Sequence, residues 1–173
     1  ACHVKDRLQA SYPETTIKLL EISTQGDEHL DVSLTKIGGK GVFVKELETA
    51  LYDGRADLAV HSLKDVPMEL PVGLDLCCLT ARETPTDALV HRIGTKAWTD
   101  FSDIPYGIHL GTSSLRRIAQ IRALRPDLKL SPVRGNLGTR LAKLDSGEFD
   151  GLVLASAGLK RLGVAGRIAF ETK

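Results

Sequence analysis

The sequence predicts an α/β protein of two similar lobes with a cleft between them. Each lobe is expected to hold a mixed, mostly parallel sheet flanked by helices. Three observations predict this class: strand-like and helix-like segments alternate, a helix–glycine–strand layout occurs twice, and a proline-interrupted polar segment separates the two occurrences. Ligands of such sheets bind beyond the carboxyl ends of the strands, so we expect the site there.

The repeated layout aligns the two halves of the chain. Superposing Gly54 on Gly147 also superposes Asp57 on Asp150, with an apolar helical face before each glycine and an apolar strand after it. The connector at residues 81–86 places the boundary near residue 84. We therefore predict domain 1 over residues 1–83 and domain 2 over residues 84–173.

The elements of domain 1 follow from periodicity and turn residues. Spacing of apolar residues predicts helices over Ala1–Ser11 and around Phe43–Leu51, and β-branched or apolar runs predict strands. The polar, glycine-containing stretch Ser23–Gly41 has no sustained period and is expected to be a mobile loop. The predicted strands are Thr16–Ile22, Asp57–His61 and Leu74–Leu79.

The elements of domain 2 surround two arginine-bearing turns. Strands are predicted at Ala88–His91 and Asp150–Leu154, and a helix carries Leu137, Leu141 and Leu144 on one face before Gly147. Two further strands are expected to lead into the turns Gly111–Arg117 and Arg134–Arg140, each of which opens a helix.

Composition excludes several classes of function. A net charge of +1 and 5% aromatic residues argue against general nucleic-acid binding. No apolar run approaches the roughly 18 residues of a membrane span, so no membrane partner is expected. Cys2, Cys77 and Cys78 fit neither a disulfide framework nor a metal site, and the five histidines show no metal-ligand spacing, so we expect a cytoplasmic protein without a metal.

The two arginine-bearing turns predict an anion site. Their four guanidinium groups would gather where two strands end, in the first turns of helices, where cations oppose the helix macrodipole. A bound anion explains this arrangement best. Because the planar guanidinium suits carboxylates and phosphates, the expected ligand carries several such groups.

A second polar segment, Leu58–Pro67, takes a predicted buried strand directly into a turn. Lys64 and Asp65 follow that strand at its carboxyl end, where site residues of α/β proteins lie. In the alternative interpretation this is an ordinary surface turn, and Asp65 only caps a backbone amide.

Five segments together resemble the porphobilinogen deaminase (hydroxymethylbilane synthase) family, in its order and over practically the entire chain. They are Lys36–Glu48, His61–Pro67, Gly111–Arg117, Arg134–Arg140 and Leu154–Gly163. The resemblance implies a type II periplasmic-binding-protein-like fold and a monomeric transferase. That enzyme condenses four porphobilinogen units into the linear tetrapyrrole hydroxymethylbilane with release of ammonia, on a dipyrromethane cofactor.

The resemblance also implies roles for individual residues. Asp65 is the expected catalytic carboxylate, because it can stabilise the cation left when porphobilinogen loses ammonia. Substrate contacts are expected from Lys36, Lys40, Phe43 and Arg161. Cofactor contacts are expected from Lys64, Thr112, Ser113, Ser114, Arg116, Arg117, Arg134, Gly135, Asn136, Arg140, Ala155 and Gly158.

The sequence also departs from the family pattern. The cysteine that attaches dipyrromethane is absent, as are the family's opening strand and its third domain, so domain 1 is expected to be incomplete and domain 2 nearly complete. We expect little or no turnover from these 173 residues by themselves.

Two other functions compete with this interpretation. A non-enzymatic, two-lobed protein that binds carboxylates or other anions would need the arginines but not the Lys64–Asp65 pair. Arginine-mediated nucleic-acid binding is the other candidate, and it predicts affinity that falls steeply with salt.

Overall fold

The computed structural model of the chain describes residues 1–23, 44–96 and 98–172. Backbone contacts divide the chain into two compact units, Ala1–Leu79 and Thr80–Lys173. None of the helices in these described ranges is long and apolar enough to cross a membrane. The predicted loop Ser23–Gly41 lies outside the described residues after its first position.

The first unit contains the two helices that the sequence predicts. Helix α1 spans Cys2–Ser11 and helix α2 spans Lys45–Tyr52. Gly54 follows α2 with a φ of +67°, in the left-handed region that a helix C-terminus favours, so its predicted role as the stop signal is confirmed. A short 3₁₀ turn covers Leu63–Asp65.

The three strands predicted for domain 1 are wrong. Thr16–Ile22, Asp57–His61 and Leu74–Leu79 form no strand ladder with any described residue. A strand with alternating apolar residues is stable when those residues are buried on one face of a sheet. Leu58, for example, is 50% exposed, so it has no such face to pack against. Without a paired neighbour and a buried face, strand propensity alone does not produce a strand.

In the second unit strands and helices alternate from the second strand onward, and every element predicted there is present. A 3₁₀ turn at Ala165–Arg167 precedes the last strand. The elements are β1 (Asp87–His91), β2 (His109–Gly111), α3 (Leu115–Leu124), β3 (Lys129–Ser131), α4 (Leu137–Asp145), β4 (Gly151–Ala155), α5 (Ser156–Arg161) and β5 (Ile168–Thr172).

One mixed, mostly parallel sheet joins these strands in the order β3-β2-β4-β1-β5. Strand β2 pairs in parallel with both β3 and β4, whereas β1 runs antiparallel to β4 and β5. Four strands therefore share one direction and β1 opposes them. The general prediction of an α/β fold with a mixed sheet flanked by helices is confirmed.

Two apolar clusters cover the two faces of this sheet. Side chains along β1 alternate between them, because successive strand residues point to opposite faces: Ala88 and Val90 join one cluster and Leu89 the other. Leu141, Leu144 and Leu159 bring α4 and α5 onto the first face. Ile121 of α3 and Trp98 pack on the second face.

Candidate functional site

The polar turns of the second unit meet at one edge of the sheet. Strands β3, β2 and β4 are neighbours and parallel, so the turns that follow them lie side by side at their carboxyl ends. Asp87, the first residue of antiparallel β1, is paired with Ala155, the last residue of β4, and lies at the same edge. We call this region the carboxyl edge.

The turn after β2 is held by its own hydroxyl groups. Ser114 is the N-cap of α3, and its side chain accepts a hydrogen bond from the backbone N–H of Arg117, so the simple capping role considered for these hydroxyls is present. Ser113 Oγ donates to the carbonyl oxygen of Val133 at 2.7 Å. Thr112 is almost fully buried, at 1% exposure, and its Oγ1 accepts from the backbone N–H of Ser114 at 3.4 Å.

Two arginines of this turn share one carboxylate. Arg116 Nη2 lies 2.8 Å from Asp87 Oδ2, and Arg117 Nη2 lies 2.8 Å from Asp87 Oδ1. Burial alone would raise the pKa of Asp87, but hydrogen bonds from Arg117 and Arg116 outweigh it and lower that pKa. The prediction that a bound anion best explains these cations is therefore qualified by one finding, because Asp87 balances part of their charge.

Both terminal nitrogens of the Arg117 guanidinium donate hydrogen bonds, whereas its Nε donates none to a described residue. Its Nη1 donates to the carbonyl oxygen of Val153 at 3.1 Å, in addition to the Nη2 bond to Asp87. Its Nε is buried and has no hydrogen-bond partner among the described residues. A buried donor without an acceptor is costly, and a carboxylate oxygen would satisfy it.

The turn after β3 brings a third guanidinium into the group. Arg140 Nε donates to the carbonyl oxygen of Gly135 at 2.7 Å, which folds its side chain back over the turn. Burial lowers the pKa of Arg140, and the positive charges of Arg117 and Arg134 lower it further. Arg117 and Arg134 therefore both lie close enough to Arg140 to repel its charge, as expected where an anion binds.

Asn136 of this turn has a visible structural role. It is the N-cap of α4, and its side-chain oxygen accepts from the backbone N–H of Thr139 at 2.8 Å and from Thr139 Oγ1 at 3.0 Å. Gly135 precedes it with a φ of +106°, a conformation that L side chains rarely adopt.

The third turn, after β4, opens the short helix α5. Ala155 is its half-buried N-cap residue, Gly158 lies within it, and Arg161 is its exposed last residue. Next to this turn, Thr86 Oγ1 hydrogen-bonds to Ser156 Oγ at 2.9 Å and to Glu171 Oε2 at 2.7 Å. These bonds tie β1, α5 and β5 together beside the carboxyl edge.

The remaining sequence-predicted residues lie elsewhere. Lys64 and Asp65 are exposed in the 3₁₀ turn of the first unit, so their expected place after a buried strand is wrong. Asp65 caps no backbone amide in the described structure, and its carboxylate makes neither a hydrogen bond nor an ion pair to a described residue. Lys36, Lys40 and Phe43 lie outside the described residues.

Asp87 is the residue that sequence reasoning missed. Its signal was present, since an acidic residue stands between the polar connector and a fully buried apolar strand. The antiparallel register between β1 and β4 places Asp87 beside the arginines, and sequence alone does not give that register. Among the described residues, no group of three histidine, cysteine or acidic side chains could hold a metal ion.

Comparisons with known proteins show which family the chain resembles. The family described as "Porphobilinogen deaminase, dipyromethane cofactor binding domain" matches residues 1–173. The porphobilinogen deaminase of Chromobacterium violaceum is 59% identical over 98% of this chain and 53% of its own length. Those of Thiobacillus denitrificans and Neisseria meningitidis are 57% and 54% identical over 96% and 97% of this chain, and over 53% of their own lengths.

The chain spans about half the length of the curated relatives it matches. Within that span the match is nearly continuous, and it includes all three turns of the carboxyl edge and the Lys64–Asp65 segment. The chain belongs to the porphobilinogen deaminase family.

Proposed function

We propose that this chain serves hydroxymethylbilane synthesis, the condensation of four porphobilinogen units with release of ammonia at each addition. The observation that carries the proposal is the gathering of Arg117, Arg134 and Arg140 at one sheet edge, together with the buried Nε of Arg117, which finds no partner among residues 1–23, 44–96 and 98–172. Every porphobilinogen unit brings acetate and propionate groups, and a growing chain of carboxylates requires several cationic partners.

The residues of the carboxyl edge fit a dipyrromethane group. Asp87 shares its carboxylate between Arg116 and Arg117, and the charges of Arg117 and Arg134 act on Arg140, so we propose that ligand carboxylates bind among these guanidiniums. When bound, dipyrromethane supplies the pyrrole on which the product chain grows. The proposed contacts are those of Lys64, Thr112, Ser113, Ser114, Arg116, Arg117, Arg134, Gly135, Asn136, Arg140, Ala155 and Gly158.

The residues of these turns have different tasks in this proposal. The arginines bind ligand carboxylates, while Ser114 and Asn136 hold the helix starts that present those arginines. Gly135 supplies the carbonyl oxygen that accepts the hydrogen bond from Arg140 Nε. Arg161, Lys36, Lys40 and Phe43 are proposed to contact the incoming substrate.

Asp65 is proposed as the catalytic residue. Loss of ammonia from porphobilinogen leaves a delocalised cation, which a nearby carboxylate stabilises while accepting pyrrole N–H bonds. What supports this role is that the Asp65 carboxylate is exposed and unengaged by described residues, and so available to a ligand.

The fold proposed for the family's protein is the type II, periplasmic-binding-protein-like arrangement of two similar lobes with a cleft between them. Its support is the repeated helix–glycine layout, in which Gly54 and Gly147 end α2 and α4 with positive φ. We further propose a domain boundary near residue 84 and a cytoplasmic monomer. Three exposed, unpaired cysteines are consistent with a reducing compartment.

The test is an assay of the full-length protein with porphobilinogen. Ammonia and hydroxymethylbilane should form, and the denatured intact mass should exceed the polypeptide mass by one dipyrromethane. A protein that binds porphobilinogen without releasing ammonia would instead be the non-enzymatic anion-binding alternative. No observation in the described structure favours that alternative.

A further inference from the structure

We propose that Asp87 is a positioning residue of the carboxyl edge, whose carboxylate holds the guanidiniums of Arg116 and Arg117 in the orientation that receives a carboxylate-bearing ligand. This inference rests on the proposed function and deepens it. It assigns no contact between Asp87 and the ligand, because both carboxylates seek the same cations and repel each other.

Asp87 has the rigid attachment that positioning requires. It opens β1, where its backbone is paired with Ala155 of β4 on one side and Thr172 of β5 on the other. The next residues, Ala88 and Leu89, are fully buried on opposite faces of the sheet. A side chain on such a strand varies less in position than one on a loop.

The two carboxylate oxygens of Asp87 divide the two arginines between them. Oδ1 takes Arg117 and Oδ2 takes Arg116, each at 2.8 Å. Second bonds complete the orientation: Arg117 Nη1 to the Val153 carbonyl oxygen and Arg116 Nη1 to Gln120 Oε1, at 3.1 and 3.0 Å. Both guanidiniums are thus fixed before any ligand arrives, which reduces the entropy lost on binding.

The fixed orientation leaves specific donors for a ligand. Arg117 has a 13% exposed side chain, and its buried Nε has no partner in the part of the chain that the structure describes, whereas the side chain of Arg116 is 59% exposed. If Asp87 were an ordinary stabilising ion pair, the donors of Arg117 would be expected to be saturated. Instead the pair holds the guanidinium and leaves one donor unused.

Asp87 also makes the gathering of cations tolerable before a ligand binds. Arg117 and Arg134 both repel the charge of Arg140, and Asp87 is an acidic side chain that contacts Arg117. Removing its charge would leave the same arginines without that counter-ion, so Arg117 would turn toward solvent. The ligand would then have to reorder it at the moment of binding.

A competing role for Asp87 is that of a placeholder, which occupies the arginines until a ligand carboxylate displaces it. The two roles predict opposite effects of Asp87→Asn. A placeholder slows ligand capture, so its removal should speed capture. A positioning residue aids capture, so its removal should slow it.

The experiment measures cofactor loading by the full-length protein, with its cofactor removed and porphobilinogen as the probe. The readout is the rate at which the denatured intact mass gains one dipyrromethane. We expect loading of Asp87→Asn to be at least about 10-fold slower than loading of the wild type, the scale of one lost charge-assisted hydrogen bond. Equal or faster loading would overturn the proposal.

Asp127→Asn is the matched control. Asp127 accepts two hydrogen bonds from Arg125 at 2.7 Å, in the same unit, and its side chain is 7% exposed against 12% for Asp87. Its substitution removes a comparable ion pair without touching the arginines of the carboxyl edge. If the melting temperature and the loading rate decrease by the same amounts in both variants, the effect is general destabilisation and the proposal fails.

A double-mutant cycle separates positioning from independent effects. In the Arg116→Lys/Arg117→Lys background, Asp87→Asn should slow cofactor loading little further, because the guanidiniums through which Asp87 acts are already gone. The proposal would be overturned if Asp87→Asn slowed loading by the same factor in this background as in the wild type. Asp87→Glu serves if Asp87→Asn does not fold: the longer side chain keeps the charge but misplaces it, so wild-type loading in that variant would also overturn the proposal.

Measurements on the wild-type protein separate the proposed function from the positioning role of Asp87. A wild-type protein that gains no mass from porphobilinogen and forms no product refutes the proposed function itself. A wild type that loads, beside an Asp87→Asn variant that loads equally well, refutes only the positioning role.

Discussion

Gly135 and Thr139 approach so closely that a Cβ atom on residue 135 would lie 2.8 Å from the Cβ of Thr139. The φ of Gly135 is +106°, so an L side chain there would be strained even without the contact. The same turn holds the Asn136 cap and the carbonyl oxygen that receives Arg140 Nε. A single glycine therefore determines the shape of one arginine-bearing turn.

Gly135→Ala is expected to lower the free energy of unfolding by about 1–3 kcal/mol, the usual scale of such backbone strain. Urea unfolding of the full-length protein measures this change. Gly166→Ala is the control, because Gly166 has no positive φ and a Cβ there would meet no atom within 4 Å. Equal stability of the two variants would show that the turn at Gly135 relaxes without cost.

Asn136→Ala should destabilise the protein by about 1 kcal/mol, because it removes the N-cap of α4. Asn136→Asp keeps an acceptor for the backbone N–H of Thr139 and should retain most of that stability. The aspartate also adds a negative charge beside the arginines, so cofactor loading should fall in this variant although the fold is intact. The melting temperature tests the predicted stabilities, and the gain in denatured intact mass on cofactor loading tests the predicted effect of the added charge.

These two turns show what sequence could predict at the site. The helix starts after β2 and β3 were predictable, since Ser114 and Asn136 are preferred N-cap residues placed before apolar periodic segments. The approach of the arginines was also predictable, because parallel strands bring their carboxyl ends to one edge. Neither inference required a long-range contact to be known.

The partner of the arginines was not predictable in the same way. Asp87 reaches Arg117 through a register between β1 and β4 that spans more than 60 positions of the sequence, and no local pattern encodes that pairing. The strands of domain 1 failed for a related reason. Thr16–Ile22 has strand-like composition, but a strand exists only where a neighbour completes its hydrogen bonds.

Arg140→Gln should weaken anion binding, and in the ligand-free protein the relief of charge repulsion should offset part of the lost hydrogen bond to the Gly135 carbonyl oxygen. Burial and the charges of Arg117 and Arg134 already disfavour the charged form of Arg140, as its lowered pKa shows, so removing the charge relieves repulsion. We expect citrate at constant ionic strength to bind about 10-fold more weakly, the scale of one charge-assisted hydrogen bond. Calorimetric titration measures the affinity.

The control for Arg140→Gln is Arg122→Gln. Arg122 is an exposed arginine in the last turn of α3, at the opposite end of that helix from the turn Gly111–Arg117. Its loss should leave citrate affinity at the wild-type value. Wild-type affinity in Arg140→Gln would contradict the assignment of Arg140 to the anion site.

The Arg125–Asp127 pair predicts a specific dependence of stability on acid. Hydrogen bonds from Arg125 lower the pKa of Asp127 from 3.8 to about 2 in the folded protein. Because the folded-state pKa is the lower one, this pair stabilises the fold above about pH 4, and its contribution is lost as pH falls toward 2.

Melting temperatures of wild type and Asp127→Asn, measured from pH 2 to pH 5, test this linkage. The difference between the two proteins should be largest at pH 5 and should shrink as the pH approaches 2, since the variant lacks the titrating group. A difference that stays constant over this range would mean that the Asp127 charge contributes nothing to stability.

Asp65→Asn separates binding from chemistry in the proposed enzyme. The substitution keeps the size of the side chain and removes the charge that would stabilise the cation formed when ammonia leaves. Turnover of porphobilinogen by the full-length variant should fall at least ~100-fold, by comparison with the loss of other groups that stabilise transition-state charge. The melting temperature should stay at the wild-type value, because the carboxylate has no partner among the described residues. Glu69→Gln is a suitable control, since Glu69 is another exposed carboxylate on the same segment. If Asp65→Asn turned over at the wild-type rate, the cation would have to be stabilised by another group, and the catalytic role would pass from Asp65 to that group.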